Sequence, residues 1–408
     1  MAERPPFDRR LAPRPMGFHL MTSSATWLGA AAAWPAFRAG LLPIHPDLRD
    51  DAEALRRSIA ELGTETDLQA ASLAQRRIAQ MLAGIEKYQK HPHRRRLADP
   101  PALVTRGGCR LLDYAPESHG PVIFAVPSLI NPAFILDLDE DASLMRHLAA
   151  RGFRPMLMDW GSPGAAERDF GLDEYVLDRL VPAIAAAAEA AGGPVVLLGY
   201  CMGGNLALAA ALHRPDLVRG LALVATPWDF HAEGAILIRA LTNLMTGSLA
   251  LLPPGAPVPV DLLQIFFASI DPTLSDRKFR RFARMETDSA AAQRFVLIED
   301  WSNDGPPLAR KVAEDCLRDW YGRNLPARGE WRLGQKTMAP NDLDMPVLVA
   351  VPRADRIVPP ASAAAVLPLL REPRVIEGRS GHVAMMAGIG AEQSLWDPLA
   401  QWAREIAV

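Results

Sequence analysis

Val195-Val196-Leu197-Leu198-Gly199-Tyr200-Cys201-Met202-Gly203-Gly204-Asn205-Leu206-Ala207-Leu208 is the stretch that decides the fold. Its first four residues are uncharged and β-branched or aliphatic, the pattern of a strand buried on both faces. The Leu- and Ala-rich run after Gly204 reads as a helix. Between them Cys201 stands in a Gly-x-Cys-x-Gly frame. A reactive side chain held on so sharp a strand-to-helix turn is lifted clear of the sheet edge. The residues two before and two after it cross too closely to carry side chains, and Gly204 lets the helix approach the sheet. The helix N-terminus points partial positive charge at Cys201, which favours the thiolate. The Met202 N–H lies where an oxyanion would need a donor. A free cysteine is more often a buried, inert residue. That bland reading suits Cys109 and Cys316, which have no such frame.

Working outward, short apolar runs alternate with helical stretches. CRLLDY (109–114), PVIFAVP (121–127), RPMLMDW (154–160), GLALVAT (220–226), PVLVAV (346–351) and RVIEG (374–378) read as further strands. Helices are predicted over Ala142–Ala150, Leu172–Ala190, Gly204–Leu212 and Ala361–Leu370. This alternation gives a doubly wound, mostly parallel sheet covered by helices. With the nucleophile turn it predicts an α/β-hydrolase fold.

Roughly Asp229 to Met345 separates two strands by far more than a crossover needs. It reads as a mostly helical cap inserted over the C-terminal edge of the sheet. Leu244, Met245, Phe266, Phe267 and Ile270 suit the lid of an acyl channel, or else simply fill the cap's own core. The domain boundaries expected are 1–100 for an N-terminal arm and helical region, 101–228 and 346–408 for the two parts of the hydrolase core, and 229–345 for the cap.

In turns of this class the partners follow in the order nucleophile, acid, histidine. Of nine histidines, His213, His231 and His382 lie after Cys201. His213 is about three turns down the helix that starts at the nucleophile, and too far. His382, in the GRSGHV loop after the last strand, is the expected base. Asp355, in the loop after PVLVAV, is the expected acid. Asp159 loses by chain order, and Asp229 is the rival. Asp229 and His231 are candidates for the pocket mouth. Pro127 has no N–H, so Leu129 or Ile130 is expected to supply the second oxyanion donor beside Met202.

Composition excludes several classes. The 408 residues carry 44 basic and 47 acidic side chains, a formal charge of -3, which gives nucleic acid no electrostatic footprint. Three cysteines form no disulfide framework and no metal-ligand spacing, so no metal is expected and a reducing, cytoplasmic setting is the default. The cluster His91-Pro92-His93-Arg94-Arg95-Arg96 reads as solvated surface or, less simply, an anion-docking patch. Residues 1 to about 50 read as a loose arm with one short helix, and 51–90 as helical. Ala25–Leu42 is apolar, but acidic Glu3 and Asp8 and the Trp34-Pro35 break oppose a signal peptide. Packing on its own domain is expected instead.

A cysteine in this turn suits one kind of chemistry. Moving an acyl group from one thioester to Cys201 is nearly isoenergetic, and passing it to a hydroxyl is downhill. Water can take the same acyl group, so a thioesterase or esterase that releases the free acid stays open as the alternative reading. A catalytically silent scaffold is the third reading.

At this point several motifs in order carry a family resemblance. GYCMGG, PSLINPAFILDLDEDASLMRHLAARGF, MLMDWGSPG, TPWDF, WSNDGPP, YGRNLPARGEWRLG, DRIVPP and SGHV together resemble the polyhydroxyalkanoate synthases, from about residue 85 to the C-terminus. The resemblance implies that Cys201 attacks a (3R)-hydroxyacyl-CoA. It implies that His382 activates the thiol. Asp355 then orients His382 or helps it activate the chain-end hydroxyl. The CoA thioester would be substrate, with no further cofactor. A non-catalytic partner subunit, a homo-oligomer and a polymer-granule surface are implied partners. The short N-terminal extension resembles the two-subunit synthases. The first 80 residues carry no family motif, and no CoA pyrophosphate loop is recognisable.

Overall fold

In the computed structural model, which describes residues 10–62, 66–232 and 234–407, the apolar runs form one sheet. Its strands are β1 (Ala102–Arg106), β2 (Cys109–Asp113), β3 (Val122–Val126), β4 (Arg154–Asp159), β5 (Val195–Tyr200), β6 (Val218–Val224), β7 (Val347–Pro352) and β8 (Arg374–Gly378). They lie in the order β1-β2-β4-β3-β5-β6-β7-β8. β1 and β2 run antiparallel to their neighbours, and every pairing from β4 to β8 is parallel. The expected fold class is observed. Every residue of β3 and β5 is buried, because crossover helices cover both faces. β1 escaped the sequence reading. As an edge strand it is mostly exposed, so its composition carries no core signal.

The chain divides into two compact units. Arg95–Ile270 with Asp304–Val408 holds the sheet and all of the site described below. The other unit joins residues up to Arg94 with Asp271–Asn303. The middle of the long segment between β6 and β7 therefore groups with the N-terminal helices. The physical reason is a shared apolar cluster, in which Phe279, Phe282, Ala292 and Val296 pack with Met81, Ile85 and Tyr88. Arg10 is also spent inside this unit, on the carboxylate of Asp300 and the carbonyls of His91 and His93.

The N-terminal segment differs from the loose arm expected. Met16–Arg38 is one helix of 23 residues. Its buried residues are His19 and Ser23, held by polar contacts rather than an apolar stripe. Ser23 Oγ and Trp27 Nε1 both donate to Asp276 Oδ1, at 3.3 and 3.0 Å. A helix docked through hydrogen bonds shows no hydrophobic period to read. No described helix is long and apolar enough to cross a membrane. Glu3 and Asp8 lie outside the described residues.

The basic cluster is solvated surface only in part: Arg96 is exposed, while its neighbours are drawn into the fold. His91 is buried with Nε2 at 2.9 Å from the Thr287 carbonyl, and Arg94 donates to the His91 carbonyl at 2.7 Å. Arg95, in the sheet unit, donates to the carbonyl and carboxylate of buried Asp137. Arg94 and Arg95 are thus engaged by backbone and carboxylate acceptors of the fold.

Candidate active site

β5 ends at Tyr200, and the helix Met202–His213 begins one residue after Cys201. Cys201 bridges them at φ 55° and ψ -130°, a left-handed backbone that costs a cysteine about 1–3 kcal/mol. Two hydrogen bonds hold it there. The Cys201 N–H donates to the Val224 carbonyl at 2.9 Å, and the Gly204 N–H donates to the Cys201 carbonyl at 2.9 Å. The crossing is as tight as the sequence implies, with different partners. A Cβ on Gly199 would lie 2.3 Å from Gly204 Cα, and one on Gly203 would lie 2.0 Å from the Val126 carbonyl oxygen. The helix N-terminus is thus wedged against the ends of β3 and β5.

The loops after β7 and β8 bring up the other two groups. They are tied to each other, with the Arg353 N–H donating to the Gly378 carbonyl at 2.7 Å and the Ala354 N–H to the Ser380 carbonyl at 3.2 Å. His382 Nδ1 lies 2.6 Å from Asp355 Oδ2, and both residues are buried. Asp355 Oδ1 accepts the N–H groups of Ile357 and Val358 at 2.8 and 2.9 Å. Both carboxylate oxygens are therefore fixed, and Nε2 is the ring nitrogen left for Cys201. Burial by itself would push the His382 pKa down. Electrostatic interaction with Cys201, followed by that with Asp355, overrides it and raises the value to about 10. The site thus favours the charged imidazolium of His382.

The structure brings Cys201, His382 and Asp355 together and leaves Asp159 and His213 elsewhere. Asp159 is paired with Arg110, whose Nη2 lies 2.5 Å away. His213 contacts the Leu333 carbonyl at 3.2 Å. Arg353 faces solvent and pairs with Glu377, while Arg356 lines the cavity beside the acid loop.

Cys201 opens into a cavity of about 360 Å³. The helices Ala235–Ala250 and Val260–Ile270 supply Leu237, Ile238, Met245, Phe266, Phe267 and Ile270 to its wall. Leu244, a wall candidate by sequence, is 62% exposed on the outside of its helix. Of the pocket candidates, Asp229 lines the cavity; His231 is not among the lining residues and turns its Nε2 to the Tyr321 carbonyl at 2.7 Å. Among the oxyanion candidates, Met202 and Ile130 reach the cavity. As the first helical residue Met202 has no intrahelical acceptor for its N–H. The Ile130 N–H is already bonded to Ser128 Oγ at 3.1 Å, and Leu129 is buried outside the cavity lining.

Cys109 is buried, with its thiol at 3.5 Å from the Trp160 carbonyl and pushed up to about 12 by burial. Burial raises the Cys316 thiol further, although Cys316 also lines the cavity.

Tyr200 is the site residue that the sequence reading missed. Its ring lies 5.1 Å from that of His382, and its hydroxyl donates to the His382 carbonyl at 3.2 Å. The variable position inside a Gly-x-Cys frame gives no signal of that role. A histidine and two carboxylates also meet away from the cavity, at His147, Glu392 and Asp397. Arg151 pairs with both carboxylates, which makes the group a charge network.

The family profile described as alpha/beta hydrolase fold matches residues 127–388. The poly(3-hydroxyalkanoate) polymerase subunit PhaC of Haloferax mediterranei is 30% identical over 304 residues, covering 72% of this chain and 62% of that protein. The same-named subunit of Haloarcula marismortui is 29% identical, with 62% of its length covered. The chain thus spans less than two thirds of these two relatives. The subunit of Allochromatium vinosum is 29% identical over 295 residues, and 82% of it is covered.

Proposed function

This chain belongs to the alpha/beta hydrolase fold family, and on that premise we propose that it is a cysteine acyltransferase. It moves 3-hydroxyacyl groups from CoA thioesters to the hydroxyl end of a growing polyester. The observation that carries the reading is Cys201, on its strained turn with His382 and Asp355 behind it, opening into an apolar cavity. The similarity to three poly(3-hydroxyalkanoate) polymerase subunits supports the choice of substrate.

The mechanism uses this chain's own groups. The Cys201 thiolate attacks the thioester carbonyl, and the Met202 N–H donates to the oxyanion. The bond from the acyl carbon to the CoA sulfur breaks, and the His382 imidazolium gives its proton to the departing thiolate. His382 Nε2 then takes a proton from the hydroxyl of the acceptor chain. That oxygen attacks the acyl-cysteine carbonyl, the carbon–sulfur bond breaks, and the Cys201 thiolate returns. Asp355 holds the imidazole with Nε2 toward the sulfur and stabilises its charge. The CoA thioester is consumed as substrate, and the steps call on no other cofactor.

Hydrolysis would differ only in the acceptor. The apolar walls favour transfer, because they offer water few partners while admitting an acyl chain. A non-catalytic partner subunit, self-association and a cytoplasmic polymer-granule surface belong to the same proposal.

The test is a time course with purified protein and (3R)-hydroxybutyryl-CoA, quantifying released CoA thiol and acyl product together, with Cys201→Ala as control. Chain-extended product that the variant does not make is the expected result. Free 3-hydroxybutyrate alone would make the protein a thioesterase. Absence of any acyl adduct on Cys201 by mass spectrometry would overturn both.

A further inference from the structure

A largely apolar cavity whose charged lining residues are Asp229 and Arg356 poses a chemical question. Asp229 follows β6 and lines the cavity that Cys201 opens into. Its Oδ1 is fully engaged, accepting the His231 N–H and Asn324 Nδ2, both at 2.8 Å. Asn324 cannot turn its amide away, because its Oδ1 accepts the Phe230 N–H at 3.0 Å. Asn324 itself is held at φ 54°, a left-handed conformation that asparagine tolerates better than most residues. His231 is pinned in turn through its ring to the Tyr321 carbonyl. The carboxylate is thus clamped in one orientation. Its second oxygen, Oδ2, meets no hydrogen-bond donor among the described residues.

Asp229 is half-buried in a wall that also holds Leu237, Ile238, Phe266 and Phe267, so a fixed acceptor with no donor among the described residues is available there to a donor that enters the cavity. Aliphatic groups cannot satisfy it, and a group that only accepts would be repelled. A hydroxyl carried on an otherwise apolar acyl chain would satisfy it. We propose that Asp229 Oδ2 accepts a hydrogen bond from the substrate's hydroxyl, so that the clamped carboxylate selects hydroxyacyl groups from plain acyl groups. This rests on the acyl-transfer reading for what fills the cavity. It makes Asp229 a specificity residue and leaves the proton transfers to His382.

The clamp dictates the test. In Asp229→Asn the amide oxygen must take the Oδ1 place, where two donors converge, so the NH2 replaces Oδ2 and turns an acceptor into a donor. Binding is measured by calorimetry in full-length Cys201→Ala, which cannot turn over. The probes are the methyl esters of (3R)-hydroxyhexanoate and (3R)-methoxyhexanoate; the methoxy group can accept but not donate. The expected preference for the hydroxy ester is about tenfold, falling to near unity when Asp229→Asn is added. The methoxy ester should bind the double variant at least as well, which shows that its cavity is intact. An undiminished preference in the double variant, or no preference or no binding in Cys201→Ala alone, overturns the inference. Because no CoA thioester is used, failed polymerisation would sink the proposed function without changing this result.

Discussion

The Tyr200 ring lies 5.1 Å from the His382 ring at an interplanar angle of 30°, and its hydroxyl donates to the His382 carbonyl at 3.2 Å. The residue before Cys201 therefore braces His382, linking the end of β5 to the loop after β8. Tyr200→Phe keeps the ring contact and removes one hydrogen bond. It should cost about 1 kcal/mol of stability, read from urea midpoints. Tyr200→Ala also removes the ring and should cost about 3–5 kcal/mol and most of the CoA release. Equal effects of the two variants would deny the ring any bracing role.

The orientation of Asp355 makes its amide informative. Because Oδ1 accepts from the Ile357 and Val358 N–H groups, Asp355→Asn must turn its NH2 toward His382 Nδ1. The ring then keeps its proton on Nε2 and cannot accept one from the Cys201 side. CoA release should fall by about 10³–10⁴-fold with the fold intact by circular dichroism. A loss below tenfold would remove Asp355 from the triad.

The His382 pKa depends on its neighbours' charge. Burial lowers it, and the electrostatic interaction with Cys201 is the largest influence that raises it. Cys201→Ala should move the His382 ring titration down from about 10, as followed by carbon-labelled histidine NMR. The sign for stability follows from a folded value above the ordinary one. In the wild type the contribution is fully present below pH of about 6.5 and is lost as pH rises through about 10. The stability gap between wild type and His382→Gln should therefore narrow between those limits. A gap that widens with pH would contradict the raised His382 value.

Close approach at the nucleophile turn predicts a sharp contrast between glycines. A Cβ on Gly203 would meet the Val126 carbonyl at 2.0 Å, whereas one on Gly193 would meet nothing within 4 Å. Gly203→Ala should cost about 1–3 kcal/mol and displace Cys201, lowering its alkylation rate by iodoacetamide. Gly193→Ala should leave that rate unchanged. If both variants behave alike, the packing of the turn does not place the nucleophile.

The sequence by itself determined seven of the eight strands and the three residues that meet over the sheet's edge. Runs such as VIFAV and VVLLG are apolar throughout because both faces of a central strand are covered, and that pattern is local. The Gly-x-Cys-x-Gly frame is equally local, since crowding within a few residues dictates it. Chain order then left His382 and Asp355 with few competitors. Tertiary structure decided what depends on distant partners. Met16–Arg38 docks through Ser23 and Trp27 onto Asp276, and such polar docking leaves no hydrophobic period. Asp271–Asn303 joined the N-terminal helices because Phe279 and Phe282 found Met81 and Tyr88 there, and composition alone did not distinguish that core from a lid over the sheet. Asp229 looked like a rival acid until Asn324, 95 residues away, was found holding one of its oxygens and leaving the other for the cavity. A side chain's chemistry is written in the sequence, but its task depends on which of its atoms the fold has already used.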